Sequence, residues 1–300
     1  MRPKDLLWLS ICLLILVFIY YGTNATKIFT LDPSLFLISF LLYFISIVFW
    51  IGAWIYLIKE RFVPSFRLNM KALLGVFAPL GLGGDVIRTY FARTEKIEPA
   101  KALSASFVIK FYKFIIMFFF LVIAIYLLGA NSADFSQYSL VFISMIFMIM
   151  GGAIFILMFR LPVFARLAYR ILNRLFVFKF HEQLNRHFIS IKLKDILVIV
   201  SLLVVSTLFE VGAVMYAFSS IGQGLLLTHV FIFAAVASSL ALLTLTPQGI
   251  GFVEAGGYFV LSLGYFSLSK PVIGSFLIAW SIIRIWIPSL IGAIAFGWKR

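Results

Sequence analysis

The sequence has few charged residues for its length and almost no cysteine. Only 12% of its 300 residues are charged, whereas 63% are hydrophobic. The single cysteine, Cys12, excludes an intramolecular disulfide framework and a cysteine-based metal site. The three histidines show no metal-ligand spacing, and the phosphate-loop pattern Gly-x-x-x-x-Gly-Lys-Ser/Thr is absent. We therefore expect no metal, no cofactor and no ATP hydrolysis by this chain.

The apolar residues occur in unbroken runs of about twenty, the length that a helix needs to cross roughly 30 Å of hydrocarbon. The mean hydropathy is +1.12, too high for a protein whose whole surface contacts water. Backbone groups within a bilayer must be satisfied internally, which leaves helices or a closed barrel. A barrel would show strands of alternating polarity instead of long runs. The sequence therefore predicts an all-α, polytopic integral membrane protein with one membrane domain over residues 1–300.

The runs predict about eight transmembrane helices. Their approximate bounds are 6–22, 35–58, 105–128, 138–159, 195–219, 225–246, 251–267 and 272–297. The first run follows Arg2 and Lys4 and precedes Thr23–Ala25, so it also resembles a signal peptide. Its length favours a retained first helix.

Basic residues alternate between the connections. The stretches 59–101 and 160–194 carry eight basic residues each, whereas 23–34 carries one and 129–137 carries none. Basic excess marks the cytoplasmic side, which predicts a cytoplasmic membrane protein with both termini in the cytoplasm. The formal charge of +14 then indicates anionic phospholipid as a partner and argues against nucleic acid. Within the second stretch, 160–190 reads either as a basic interfacial helix or as a plain loop.

Two segments, 72–92 and 244–257, interrupt the apolar pattern at related motifs and are predicted to be broken or re-entrant helices. Pro79–Gly83 and Pro247–Gly251 both read Pro-x-Gly-Leu/Ile-Gly, and an acidic residue follows each motif. Interrupted helices at matching places in two halves are typical of transporter binding sites. The sequence thus indicates related halves, 1–159 and 160–300. The alternative is two unrelated glycine-rich turns.

Several ionisable residues fall inside the predicted spans, where a charge costs at least about 2.5–3.5 kcal/mol. Glu210 and Arg284 lie far from any span end, so they are expected to pair with each other or to bind a charged headgroup. Lys110 and Lys113 lie closer to an end, so we expect them to extend to the inner interface. Asp85 and Arg88 are three residues apart, as on one helical face.

The glycine clusters suggest how a lipid headgroup could bind. A helix that begins after Gly81–Gly84 would offer free backbone N–H groups to a phosphate, while the nearby acid would attract an amine. We therefore predict a headgroup site, with no catalytic or metal-binding residue. Its candidate residues are Gly81, Gly83, Gly84, Asp85, Arg88, Lys110, Glu210, Gly249, Gly251, Glu254 and Arg284.

Three segments carry a resemblance to a known family. They are Pro79–Arg88 (PLGLGGDVIR), Thr246–Glu254 (TPQGIGFVE) and Arg284–Pro288 (RIWIP), the last followed by Gly292. Their order along the chain is the order found in the family. They resemble the lysylphosphatidylglycerol synthase transmembrane-region family, the membrane part of the multiple peptide resistance factor flippase-synthases. Gln248 stands where that family usually has glycine. Lys110 keeps the base of an acid-base pair whose acid is absent from the position before it.

The resemblance implies lipid translocation, or a membrane scaffold beside a separately encoded lipid-modifying enzyme. In the two-part relatives, aminoacyl transfer belongs to a soluble domain, and none is recognisable in this sequence. We therefore expect a flippase for a polar-headed phospholipid, such as an aminoacylated or glycan-linked lipid, and no enzyme activity. The alternatives are a partner subunit, a membrane-embedded transferase and a small-solute transporter.

Overall fold

The computed structural model describes residues 3–73, 83–129, 193–243, 252–262 and 266–297, and the regular structure in these ranges is helical. The helices are α1 Pro3–Thr23, α2 Pro33–Ile58, α3 Phe62–Ala72, α4 Gly83–Ala92, α5 Pro99–Gly129, α6 Leu193–Ser220, α7 Leu227–Leu243, α8 Phe252–Leu261 and α9 Lys270–Gly297. The predicted all-α fold is confirmed.

Four of the described helices, α2, α5, α6 and α9, are long and apolar enough to cross a membrane. The helix α2 has 26 residues, and an 18-residue stretch of it has a mean hydropathy of 2.5. Large apolar side chains such as Phe18, Tyr126 and Ile294 are exposed on the outside of the bundle, as expected where lipid replaces water. The chain is therefore a multi-pass membrane protein.

Local sequence signals set the ends of α2. The Asp32 carboxylate accepts hydrogen bonds from the backbone N–H groups of Ser34 and Leu35, at 2.8 and 3.2 Å, and Pro33 occupies the first turn. The Ser34 hydroxyl and these backbone donors hold the pKa of Asp32 below its ordinary value. At the other end Lys59 adopts a left-handed conformation with φ of 52° and stops the helix.

The helices α2 and α6 form the central antiparallel pair. The Ser39 hydroxyl donates to the Ala213 carbonyl oxygen at 2.6 Å, and the hydroxyls of Ser46 and Ser206 lie 3.1 Å apart. Along these contacts the residue numbers rise in α2 and fall in α6, so the two helices run in opposite directions. Small buried polar residues allow this close approach and tie the two backbones together.

The remaining helices repeat one arrangement around this pair. The helices divide into a first set, α2–α5, and a second set, α6–α9. In chain order, each set contains a long helix, a shorter helix, a ten-residue helix and a second long helix. The second helix of each set packs against the last helix of the other set, so that α7 contacts α5 and α3 contacts α9. Contacts within the sets also correspond, since α3 packs on α4 and α7 packs on α8.

This arrangement is that of an inverted repeat. Because the equivalent helices α2 and α6 are antiparallel, the axis relating the two sets is perpendicular to the spans and lies in the membrane plane. The short helices α4 and α8 therefore enter the bundle from opposite ends. The division into halves at residue 160 stays a prediction, because residues 130–192 lie outside the described ranges.

The helix bounds correct one detail of the sequence prediction. The predicted span over 251–267 contains the ten-residue helix α8, about 15 Å long and too short to cross. The helix expected at the Gly81–Gly84 cluster is present as α4, which lies with α3 inside the basic stretch 59–101. The predicted span 138–159, the predicted basic helix 160–190 and the motif residues 74–82 and 244–251 lie outside the described residues.

The first helix packs on α9 at a glycine. A Cβ atom on Gly274 would overlap the Thr23 side chain and lie 3.2 Å from Ala25. The Thr23 hydroxyl is held by its hydrogen bond to the Ile19 carbonyl oxygen at 2.7 Å, so it has little room to move. Gly274 therefore permits close contact between α1 and the last span.

Replacing Gly274 by alanine should push α1 away from α9. We expect Gly274→Ala to lower the free energy of unfolding by about 1–3 kcal/mol, the usual cost of overpacking. The matched control is Gly52→Ala in α2, where an added Cβ meets nothing within 4 Å and helix propensity improves. Denaturant unfolding of both purified variants in detergent measures the difference. Equal stability of the two variants would contradict this packing.

Candidate functional site

The first half of the site is built where α4 meets the end of α3. Gly83 is the first residue of α4, and a Cβ on Gly84 would lie 3.2 Å from the Ala72 carbonyl oxygen. The lack of a side chain at Gly84 lets the two helices meet closely. Asp85 follows in the first turn of α4, where the helix dipole favours an acid.

Asp85 lies between two cations. The Arg88 guanidinium donates through Nη1 to Asp85 Oδ1 at 2.7 Å, and Lys110 Nζ donates to Asp85 Oδ2. Asp85 and Arg88 are buried, with 1% and 6% of their surfaces exposed. The expected Asp85–Arg88 contact on one helical face is confirmed. The acid that pairs with Lys110 therefore comes from α4, distant in sequence.

Neutral side chains complete this group, which we call the Asp85 cluster: Asp85, Arg88, Lys110, Asn69 and Ser106. Arg88 Nε donates to Asn69 Oδ1 at 2.7 Å, and Arg88 Nη1 lies 3.4 Å from the Ser106 hydroxyl. The guanidinium also stacks over the Trp50 ring, 4.5 Å from its centroid, which offsets part of its desolvation cost.

The Asp85 cluster contains one acid and two bases. Both carboxylate oxygens of Asp85 already accept from a cation, so an incoming lipid amine would have to displace Arg88 or Lys110. The surplus positive charge instead favours an anion. This geometry changes the role expected of Asp85 from amine binding to holding two bases in position.

The second half of the site has the same plan at the other short helix. Glu254, in the first turn of α8, is 2% exposed and accepts a hydrogen bond from the Ser281 hydroxyl at 2.6 Å. Arg284 Nη2 lies 3.5 Å from Glu254 Oε1. Arg284 belongs to a π-helical turn, Ile282–Trp286, within α9. Such turns interrupt the regular hydrogen bonding and are frequent at functional sites.

This second group, the Glu254 cluster (Glu254, Ser281, Arg284 and Trp280), contains unsatisfied donors. Within the part of the chain that the structure describes, Arg284 Nε, Arg284 Nη2 and Trp280 Nε1 are buried without a hydrogen-bond acceptor. The two residues lie one helical turn apart. Each buried unsatisfied group costs about 1–3 kcal/mol. Arg284 Nη2 still lies in ion-pair range of Glu254, so Arg284 Nε and Trp280 Nε1 are the donors in this group that have, among the described residues, neither an acceptor nor a counter-ion atom close by.

A third ion pair connects the central helices. Lys113 Nζ donates to Glu210 Oε2 at 2.7 Å, between α5 and α6. The Tyr43 ring contacts the Trp280 ring edge-on at 5.5 Å between centroids, and Tyr43 lies within electrostatic range of both Glu210 and Arg284. Tyr43 therefore contacts the Glu254 cluster through Trp280 and lies near the Lys113–Glu210 pair.

Equivalent positions in the two helix sets carry the key residues. Asp85 and Glu254 are both the third residue of a ten-residue helix. Their hydrogen-bond partners Lys110 and Ser281 are both the twelfth residue of the following long helix, α5 or α9. The fifteenth residues of these helices, Lys113 and Arg284, also pair with acids.

The structure corrects two sequence-based expectations. Lys110 and Lys113 do not extend to the interface, because each forms an ion pair with a buried acid. Glu210 and Arg284 do not pair with each other: Glu210 binds Lys113, and Arg284 lies against Glu254.

The structure brings the predicted residues Asp85, Arg88, Lys110, Glu254 and Arg284 into two clusters. Sequence reasoning named these residues but missed their neutral partners. Missed residues are Trp50, Asn69, Ser106, Trp280 and Ser281. Of these, Trp280 had a detectable signal, since it lies four residues before Arg284 on the same helix. Gly81, Gly249 and Gly251 lie outside the described residues.

Removing the Asp85 charge should leave the buried Arg88 and the half-buried Lys110 without their counter-ion. We expect Asp85→Asn to lower the free energy of unfolding by about 3–5 kcal/mol. Glu60→Gln breaks the half-exposed pair with Lys101 and should cost less than about 1 kcal/mol. The double variant Asp85→Asn/Lys110→Gln should be more stable than the sum of its single changes predicts. Denaturant unfolding in detergent tests this cycle, and strict additivity would contradict a direct pair.

Comparison with known proteins places this arrangement in a family. No curated protein and no solved structure shows significant similarity to the chain. The family described as the lysylphosphatidylglycerol synthase TM region matches residues 6–292. The match includes both short helices, both clusters and the central pair. The chain therefore belongs to the lysylphosphatidylglycerol synthase transmembrane-region family.

Proposed function

We propose that this protein is a translocase for phospholipids with a polar headgroup. Its family associates it with membrane lipids, and its fold is a multi-pass helical bundle. The proposal adds the movement of the lipid across the membrane. The substrates in question share a phosphate and include zwitterionic, aminoacylated and glycan-linked lipids.

The unsatisfied donors of the Glu254 cluster carry this proposal. Arg284 is the fifteenth of 28 residues in α9, so it lies roughly 20 Å from either end of the helix. A buried arginine near the middle of a span is costly unless it serves a ligand pathway. A phosphate would accept hydrogen bonds from Arg284 and Trp280 together, and charge-assisted bonds of this kind are strong.

The inverted arrangement supports movement between the leaflets. The helices α4 and α8 enter from opposite ends, and each presents an acid-base cluster where its first turn meets a long helix. A headgroup could pass from the Asp85 cluster to the Glu254 cluster while its acyl chains stay in the bilayer. Rocking of two inverted units around a central site is the usual mechanism of alternating access.

The free energy needed to move a lipid across the membrane depends on the net charge of its headgroup. Moving one positive charge outward against an inside-negative potential costs about 2.3 kcal/mol per 100 mV, so a net cationic lipid needs a gradient or a coupled ion. A zwitterionic lipid with no net charge needs neither. The protein contributes binding groups that replace headgroup hydration during the passage.

Transport by reconstituted protein tests the proposal. We expect labelled phospholipid to cross proteoliposome membranes with the wild type. Trp280→Phe keeps the aromatic ring but removes the Nε1 donor, and should slow crossing about tenfold, the effect of losing one charge-assisted hydrogen bond. Arg284→Gln removes the charge and should slow it further. Lys101→Gln, in a half-exposed pair, is the control and should keep the wild-type rate.

The outcomes distinguish the alternatives. Unchanged rates in folded Trp280→Phe and Arg284→Gln would show that this cluster does not bind the headgroup. No crossing by the folded wild type, with any headgroup, would favour a partner subunit. In that case we expect a separately encoded lipid-modifying enzyme to co-purify. A new lipid formed by the purified chain alone would instead identify a membrane-embedded transferase, contrary to our proposal that the chain is not an enzyme.

We further propose a cytoplasmic-membrane location with both termini in the cytoplasm, from the basic stretches 59–101 and 160–194. In a Cys12→Ser background, we expect Lys27→Cys to react with an impermeant thiol reagent added to intact cells. We expect Lys96→Cys to react only after the cells are opened. Both lysines have exposed surface in the structure. The reverse labelling pattern would invert the topology.

A further inference from the structure

A cavity separate from the two clusters lies where α2 ends and α6 begins. It has a volume of about 540 Å³ and is lined by Ile55, Tyr56, Lys59, Glu60, Lys194 and Asp195. This volume is within the range of small-molecule sites. No residue that lines the cavity belongs to the Asp85 cluster or to the Glu254 cluster.

The acids of this cavity are already neutralised. Asp195 accepts from Lys59 Nζ and from the Tyr56 hydroxyl, both at 3.2 Å. Glu60 accepts from Lys101 Nζ at 2.8 Å. These contacts leave the carboxylates little capacity to attract a cationic ligand.

Lys194 supplies the uncompensated charge. It is exposed, and the described residues provide no ion pair for it. The side chain of Lys59 is 62% exposed although it contacts Asp195, so it can also reach a ligand. Because Asp195 in the first turn of α6 already offsets the helix dipole and pairs with Lys59, the preference for an anion comes from Lys194, and Lys59 adds a second exposed donor.

The position of the cavity indicates the source of the anion. Lys59 caps a 26-residue apolar span and Lys194 is the second residue of a 28-residue span, so both lie at the level of lipid headgroups. Leu193 and Leu197, on the same end of α6, are 72% and 61% exposed. Leu193 lies beside Lys194, and Leu197 lies three residues deeper along α6, so together they offer apolar surface to an acyl chain.

We propose that this cavity binds a phosphate-bearing anion, supplied by an anionic phospholipid of the adjacent leaflet. The phosphate contacts Lys194 and Lys59, and the bound lipid bridges α2 and α6, the equivalent helices of the two sets. This site is independent of the proposed translocation, because it shares no residue with the Asp85 or Glu254 clusters. Its occupant stabilises the central pair from the basic end of the bundle.

Lipid binding to the purified full chain tests this site. We titrate phosphatidylglycerol, phosphatidylcholine and inorganic phosphate and follow the thermal midpoint and bound lipid by native mass spectrometry. The variant Lys194→Gln breaks no ion pair among the described residues, so it should fold normally. It should weaken phosphatidylglycerol binding about fivefold, and Lys59→Gln/Lys194→Gln about tenfold or more. Lys96→Gln, an exposed lysine on the connection between α4 and α5, has the same charge change and should bind as the wild type.

The three probes separate the possible outcomes. Lysine-dependent binding of phosphatidylglycerol with no response to inorganic phosphate supports a lipid ligand. Lysine-dependent binding of inorganic phosphate also supports the anion site and assigns it to a soluble phosphate compound. Equal phosphatidylglycerol affinity of Lys194→Gln, the double variant and Lys96→Gln would overturn the proposal. Equal affinity of the wild type for phosphatidylcholine would overturn it as well.

Discussion

The rest of this structure depends on the need of each buried charge for an opposite charge. An ionised side chain deep in a bilayer loses its hydration, and only a nearby partner compensates the loss. Asp85, Glu210 and Glu254 each meet a base from a different helix. These pairs fix which helices are neighbours, because removing one partner leaves the other uncompensated. The hydrophobic effect drives little association between helices in lipid, so polar contacts have a larger share in specifying the bundle.

The two clusters share a plan but differ in balance. In the first, Lys110 and Arg88 surround one acid, and Arg88 donates through Nε to Asn69 and through Nη1 to Asp85. In the second, Ser281 occupies the position equivalent to Lys110, and Arg284 keeps donors without acceptors. The first cluster is therefore electrostatically positive but structurally satisfied. The second cluster has a net charge close to zero but contains donors without acceptors, which suits a ligand that binds and is then released.

Much of the fold followed from the sequence, and the site followed in part. Apolar runs near twenty residues require helices in a bilayer, so the spans matching α2, α5, α6 and α9 were predictable within a few residues. The Asp85–Arg88 contact was predictable because it is local, three residues apart. The pairing of Glu210 with Arg284 was wrong, because sequence alone does not say which helices are adjacent. The length of α8 was also missed, since an apolar segment looks the same whether it crosses or turns back.

The sequence by itself determined that this chain is an all-α membrane protein with two glycine-rich interruptions and costly charges inside its spans. These properties are local: composition, run length and the positions of proline and glycine decide them. Only the tertiary structure decided that α2 and α6 run antiparallel and that the short helices enter from opposite ends. It alone joined Lys113 to Glu210 and left Arg284 with free donors. Such contacts connect residues far apart in the chain. The distance between their side chains depends on how the helices are oriented relative to one another, and no local sequence pattern encodes that orientation.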